Sequence, residues 1–216
     1  MVYRRGRAGE DKREASIAKL LQAAERLFSE KGFQKTTMQE IVREADSSIG
    51  NLYFYFANKD ELLRTLIEDE LLAVYAASDA VAQRIPVGPA RLATMVLTTA
   101  EGLLGPDARL AKLLQHASPN PVTQRVAVMN RERVGRYIAE NLTDLTDLEL
   151  HYAKIMWSGG AVAMTTEIAL SQDEADFWPA AEFVVRWNLT AVGIPEAEVS
   201  EAIDIAYEAL ESADAT

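Results

Sequence analysis

The chain has 216 residues, 49% of them hydrophobic, with no cysteine and a formal net charge of −11. This is enough apolar material for one or two folded domains with a real core, and the lack of cysteine excludes a disulfide framework and a thiolate metal site. The start of the chain has no apolar secretory stretch and no window approaches eighteen uninterrupted apolar residues, so a soluble, cytoplasmic protein with no membrane partner is expected.

The acid excess taken whole argues against a nucleic-acid partner, but it is unevenly spread. Residues 1–60 hold 11 Lys/Arg against 9 Asp/Glu, a net of +2, and the totals of 22 and 33 leave 11 and 24, a net of −13, for residues 61–216. Phosphate binding wants a basic surface, so only the N-terminal part suits DNA. Arg4, Arg5 and Arg7 there form a basic arm over residues 1–11, ahead of the first helix, and are candidate contacts to the DNA backbone or minor groove. A solvated tail is the competing reading of the same residues.

The first helix is expected over about Lys12 to Lys31. Ile17, Leu20, Leu21, Ala24, Leu27 and Phe28 recur at three- and four-residue steps, and Gly32 follows in the helix-terminating position. Thr37 and Glu40 then form a capping box, and Met38, Ile41, Val42 and Ala45 give a short second helix one apolar side. Asp46 falls where a residue tolerant of positive φ is wanted, and Ser48 is placed to cap the next helix. In that short helix Asn51 can reach an adenine edge, while the hydroxyls of Tyr53 and Tyr55 can reach phosphates. Phe56 is the better core candidate and Phe54 the better surface one. A fourth helix starts at Asn58 and continues toward Arg84. Lys59 in its first turn runs against the helix dipole, which makes it a candidate phosphate partner.

Residues Phe33 to Leu63 resemble the DNA-binding domain of the TetR (tetracycline repressor-like) transcription regulators. The resemblance rests on Gly32-Phe33, Thr36-Thr37 and Leu52-Tyr53-Phe54-Tyr55-Phe56-Ala57-Asn58-Lys59-Asp60-Glu61-Leu62, which agree together in order and spacing. It implies a helix-turn-helix over 37–56 within a DNA-binding domain over 1–57, with Thr36, Thr37, Ser47, Ser48, Ile49, Asn51, Tyr53, Tyr55 and Lys59 at the DNA. The turn departs from the family, with Asp46-Ser47 where Gly-Val is usual. Ile49 stands at a frequently polar or cationic position, which implies one fewer phosphate contact or an apolar contact to a thymine methyl.

Beyond the fourth helix, Pro86-Val87-Gly88-Pro89, Gly105-Pro106 and Ser118-Pro119-Asn120-Pro121 break the chain. Helical patterns lie between them over 91–104, 107–117 and 122–142, followed by helices at about 147–170, 176–192 and 195–210. No stretch alternates with a period of two, so no strand is expected. The fold expected is all-α, a three-helix reading head followed by a larger helical bundle over 58–216 that binds a ligand and dimerises.

Met95, Thr99, His116, Met129, Tyr137 and Trp157 are candidate lining for an effector cavity in that bundle, although soft and aromatic residues at mid-helix also make ordinary core. Gly159, Gly160 and Ala163 would let helices approach closely at a dimer interface, with Trp178 and Trp187 as anchors. His116 and His151 have no metal-ligand spacing, and no phosphate loop, nucleophile elbow or catalytic cluster is present, so neither a metal, a cofactor nor an enzyme is expected. The expectation is a homodimeric repressor that leaves a palindromic operator when a small molecule binds. An effector-independent DNA-binding protein is the alternative, and a helical enzyme a weaker one.

Overall fold

The structure is a computed structural model and describes the backbone of residues 3–105, 121–170 and 177–214. Nine α-helices and no strand occur among the described residues: α1 (Tyr3–Lys31), α2 (Met38–Glu44), α3 (Ile49–Tyr55), α4 (Lys59–Ala82), α5 (Pro89–Leu104), α6 (Pro121–Asn141), α7 (Asp147–Leu170), α8 (Trp178–Ala191) and α9 (Glu196–Asp214). The fold is all-α, as the periodicity predicts. The expected helix over 107–117 lies outside the described residues.

The chain divides into two compact units, with the break inside α4 between Asp69 and Glu70. In the N-terminal unit Leu20, Leu21, Ala24 and Phe28 of α1 are buried with Ile41, Leu52 and Phe56. This is the face the three- and four-residue spacing selects. The first turns of α4 belong to this unit and bury Leu62, Leu63, Leu66 and Ile67, which is why the division falls after residue 57.

Local side-chain chemistry sets the helix ends. Gly32 takes φ 87° after α1, a conformation that is cheap only without a Cβ. The Thr37 hydroxyl accepts from the Glu40 amide at 3.3 Å while the Glu40 carboxylate accepts from the Thr37 amide at 2.9 Å, completing the capping box. Asp46 has φ 48°, the positive φ its place in the turn calls for. The Ser48 hydroxyl accepts from the Asn51 amide at 3.1 Å, and Asn58 Oδ1 accepts from the Glu61 amide at 2.8 Å, so α3 and α4 each start on a side-chain cap.

One boundary differs. α1 begins at Tyr3, so Arg4, Arg5 and Arg7 stand within the helix and not on an arm ahead of it. The segment has no proline to stop the helix, and its glycines lower helix stability by only about 1 kcal/mol each.

In the C-terminal unit α5 packs against α8 and α9, and α6 against α7. The core gathers Leu92, Ala93, Met95 and Leu97 of α5, Val134, Tyr137 and Ile138 of α6, Trp157 of α7, Val185 and Leu189 of α8 and Ile203 and Ala206 of α9. Side chains also engage the residues just ahead of two helices here. The Gly88 amide donates to Asn141 Oδ1 at 3.1 Å ahead of α5, and Thr146 and Glu149 form a second capping box ahead of α7. Among the described residues no helix is long and apolar enough to cross a membrane.

Candidate functional site

α2, the turn at Asp46 and α3 form a helix-turn-helix, and α3 is the reading helix by its place in that unit. Leu52 fixes its inner side, with no exposed surface. The outer side carries Ile49, Gly50, Tyr53 and Phe54, all exposed and spaced at one and four residues, hence on one helix face. Phe54 is 76% exposed and Phe56 is buried, as the sequence suggests. Tyr55 is half-buried, with the Arg13 guanidinium 5.9 Å from its ring centroid, so of the two tyrosines Tyr53 is the outward one.

Thr36, Ser47, Asn51 and Lys59, all expected at the DNA, have their polar groups engaged within the protein. The Thr36 side chain is buried and its hydroxyl donates to the carbonyls of Gly32 at 2.9 Å and Leu27 at 3.2 Å, closing the end of α1. Asn51 Nδ2 donates to Ser16 Oγ at 2.8 Å and Ser47 Oγ at 3.0 Å, so both amide hydrogens tie α3 to α1 and to the turn. Ser47 is therefore a partner of Asn51.

The Lys59 ammonium lies 2.6 Å from the Phe33 carbonyl oxygen, 2.8 Å from that of Thr36 and 3.3 Å from that of Gln34. It also stands 4.4 Å from the Phe33 ring centroid. An ammonium has three N–H donors, and these carbonyls take all of them, so the lysine closes the α1–α2 loop and has no donor left for a phosphate. Its place against the α4 dipole is explained by these carbonyls. Thr37, Ser48, Ile49 and Tyr53 remain exposed. The side chains of Arg4, Arg5 and Arg7 lie outside the described residues.

Lys31 and Arg26 form ion pairs with Glu40 and Glu44, joining α1 to α2. The Lys31 ammonium, then the Thr37 hydroxyl and amide, hold the Glu40 carboxyl at about 2 against an ordinary 4.5.

The second site lies inside the C-terminal unit. Arg133 of α6 is buried, and all five of its N–H donors have acceptors. Nε donates to Asp79 Oδ1 at 2.9 Å, and Nη2 donates to the same oxygen at 2.6 Å and to Ser78 Oγ at 2.9 Å. Nη1 donates to Thr99 Oγ1 and Met95 Sδ, each at 3.1 Å. The Tyr75 and Tyr137 ring centroids stand 4.4 and 5.4 Å from the guanidinium carbon. Tyr137 also donates its hydroxyl to Asp79 Oδ1 at 2.9 Å. Burial pushes both phenols up to about 12, aided at Tyr137 by the bond to Asp79. Asp79 Oδ1 thus takes three hydrogen bonds, while Oδ2 faces Arg136 at 3.8 Å. The indole Nε1 of Trp157 is buried without a hydrogen-bond partner among the described residues.

Met95, Thr99 and Tyr137, singled out as cavity lining, converge on this cluster, and Trp157 belongs to the core around it. Met129 is half-buried, and His116 lies outside the described residues. Arg133 and Asp79, the centre of the cluster, escape a reading based on soft and aromatic residues. The signal available was register: Arg133 shares a helix face with Val134, Tyr137 and Ile138, where an arginine is out of place. Among the described residues no three His, Asp or Glu side chains could hold a metal.

α7 exposes Leu148, Tyr152, Ile155 and Met156, and Gly159, Gly160 and Ala163 continue toward its end as exposed small residues. A Cβ at either glycine would meet nothing within 4 Å among the described residues, so neither glycine serves close packing there. On α8, Trp187 stacks on Phe183 with both rings exposed. Trp178, the other aromatic expected at an interface, is half-buried. Its ring lies 4.6 Å from Phe177 and 5.7 Å from Tyr207, within its own chain.

The described residues thus form a helix-turn-helix unit and a larger helical unit, both all-α. Residues 20–66 match the family described as "Bacterial regulatory proteins, tetR family". Over 61 residues the chain is 44% identical to an uncharacterised HTH-type transcriptional regulator, YfiR, of Bacillus subtilis (strain 168), a match spanning 28% of each chain. The fold as a whole is similar to RolR in complex with the ligand resorcinol, with a TM-score of 0.67 and 22% identity over 91% of this chain and 95% of that one. It is also similar to SmeT, the repressor of the Stenotrophomonas maltophilia multidrug efflux pump SmeDEF, with a TM-score of 0.64 and 20% identity over 83% and 96%.

Proposed function

We propose that this protein is a homodimeric transcriptional repressor that holds a palindromic operator and releases it when a small hydroxylated aromatic compound binds in the C-terminal domain. The observation that carries the reading is the family-matched helix-turn-helix, whose reading helix offers an uncovered face. One such helix spans only a few base pairs. Two heads about 34–36 Å apart, one turn of DNA, give a site of useful length.

The second copy in this reading covers the exposed apolar side chains of α7 and α8, among them Leu148, Tyr152, Ile155, Met156, Phe183 and Trp187. Phe183 and Trp187 are its aromatic anchors, and Gly159, Gly160 and Ala163 its close-approach points. For the effector, the cluster around Arg133 supplies an unusual polar centre among aromatic side chains. In this reading Asp79 Oδ2 accepts from a ligand hydroxyl, and Trp157 Nε1, without a partner among the described residues, donates to one. The resorcinol complex of RolR, and the repressor role of SmeT, support the same reading.

The test is selection of bound DNA from a random library with the full chain, followed by release with resorcinol as the probe compound. A recovered palindrome, and a complex of two chains per site, are expected. Recovery of no preferred sequence refutes DNA recognition. Sedimentation as a monomer at micromolar concentration, with Phe183→Glu changing nothing, refutes the dimer. A repressor saturated by resorcinol at one hundred times its Kd should gain about 2.7 kcal/mol of stability; no thermal shift with this or related phenols refutes the effector class.

A further inference from the structure

Direct readout of DNA depends on which side chains a helix can present to base edges. Arg and Lys pair with guanine, Asn and Gln with adenine and acidic residues with cytosine, whereas apolar side chains meet the thymine methyl. α3 has the sequence Ile-Gly-Asn-Leu-Tyr-Phe-Tyr, with no acidic or basic residue. Its one amide, Asn51, has both hydrogens on Ser16 and Ser47. What remains outward is Ile49 at 41%, Tyr53 at 52% and Phe54 at 76% exposure. Between them Gly50 leaves open space: beyond its chain neighbours and its own helix backbone, no atom of the described residues lies within 4 Å of where a Cβ would stand. The groove floor can therefore come close to Ile49 and Phe54. Thr37, Gln39 and Arg43 are also exposed but stand at or on α2, the helix that crosses the backbone in this motif.

We infer that α3 recognises its operator by apolar contact with thymine C5-methyl groups, made by Ile49 and Phe54, and not by hydrogen bonds from a charged or amide side chain. This rests on the DNA-binding reading above and names the chemistry of its specificity. The Tyr53 hydroxyl, one turn after Ile49, is left for the backbone beside the contacted bases.

The experiment uses the full-length protein and its selected operator, with each thymine replaced in turn by deoxyuridine, which removes only the methyl. At the positions facing α3 each replacement should weaken binding roughly fourfold, the factor for one buried carbon group. Positions outside the contact should not respond. Ile49→Ala or Phe54→Ala should weaken the thymine operator and show no further loss on the corresponding deoxyuridine operator. If the native protein binds its operator specifically and no deoxyuridine replacement changes affinity by more than about twofold, the inference is overturned. It is also overturned if the bases facing α3 prove to be invariant guanines. Because the modification is in the DNA, these outcomes do not depend on a variant that folds. Failure to select any operator would instead overturn the underlying reading.

Discussion

Removing the Asp79 carboxylate is the sharpest test of what the buried cluster contributes. Arg133 has a side chain only 5% exposed, and Asp79 is 24% exposed. Asp79→Ala deletes three hydrogen bonds to one oxygen and leaves a guanidinium in the core with no countercharge. Breaking a buried pair from one side costs about 3–5 kcal/mol. For a chain of this size, about 2–4 °C of Tm accompanies each kcal/mol, so a fall of about 6–20 °C is expected. Arg136 supplies the comparison, being 59% exposed and 3.8 Å from the other oxygen. Arg136→Ala should cost about 0–1 kcal/mol because water screens that pair. The double variant Arg133→Met with Asp79→Leu removes both charges together and should recover most of the lost stability, since an apolar pair of similar volume often replaces a buried ion pair without loss. That variant should fold and bind operator yet fail to respond to resorcinol. Thermal unfolding of the four proteins, with and without resorcinol, checks all of this. The reasoning is refuted if Asp79→Ala costs no more than Arg136→Ala, or if the double variant is as unstable as the single one.

Thr37→Ala should lower stability by about 1 kcal/mol through loss of the α2 cap, measured by denaturant unfolding at constant m. Lys59→Ala strands three carbonyls at the α1–α2 loop, so it should destabilise the head by about 1–3 kcal/mol while leaving the salt slope of DNA binding unchanged; a slope reduced by about one per head would instead restore the phosphate contact. Glu40 has a folded pKa of about 2, below its ordinary 4.5. Its contribution is therefore present above pH 4.5 and lost as pH falls through about 2. Acid unfolding of Glu40→Gln should lack that component, and identical acid profiles for the two proteins would rule it out. Tyr75 and Tyr137 have phenols raised from 10 to about 12. Stability should accordingly fall as pH rises from 10 through about 12, and phenolate absorbance should show two tyrosines titrating late, at the same alkaline step as unfolding.

What the sequence by itself determined are the features set by residues a few positions apart. The capping box of Thr37 and Glu40, the caps at Ser48 and Asn58, the positive φ at Gly32 and Asp46 and the apolar stripes all arise within one or two turns, so local chemistry selects them whatever the rest of the chain does. The identities around α3 also lie within the stretch, residues 20–66, that matches the family model. Only the tertiary structure decided which polar groups stay outside. Asn51 meets Ser16 across 35 positions, Lys59 meets Phe33 across 26, and Thr36 meets Leu27 across 9. A side chain that suits a base edge or a phosphate suits a neighbouring hydroxyl or carbonyl equally well, and packing brings the neighbour first. Arg133 and Asp79 lie 54 positions apart on two helices, and an arginine in the core becomes stable only when every donor finds its acceptor in three dimensions.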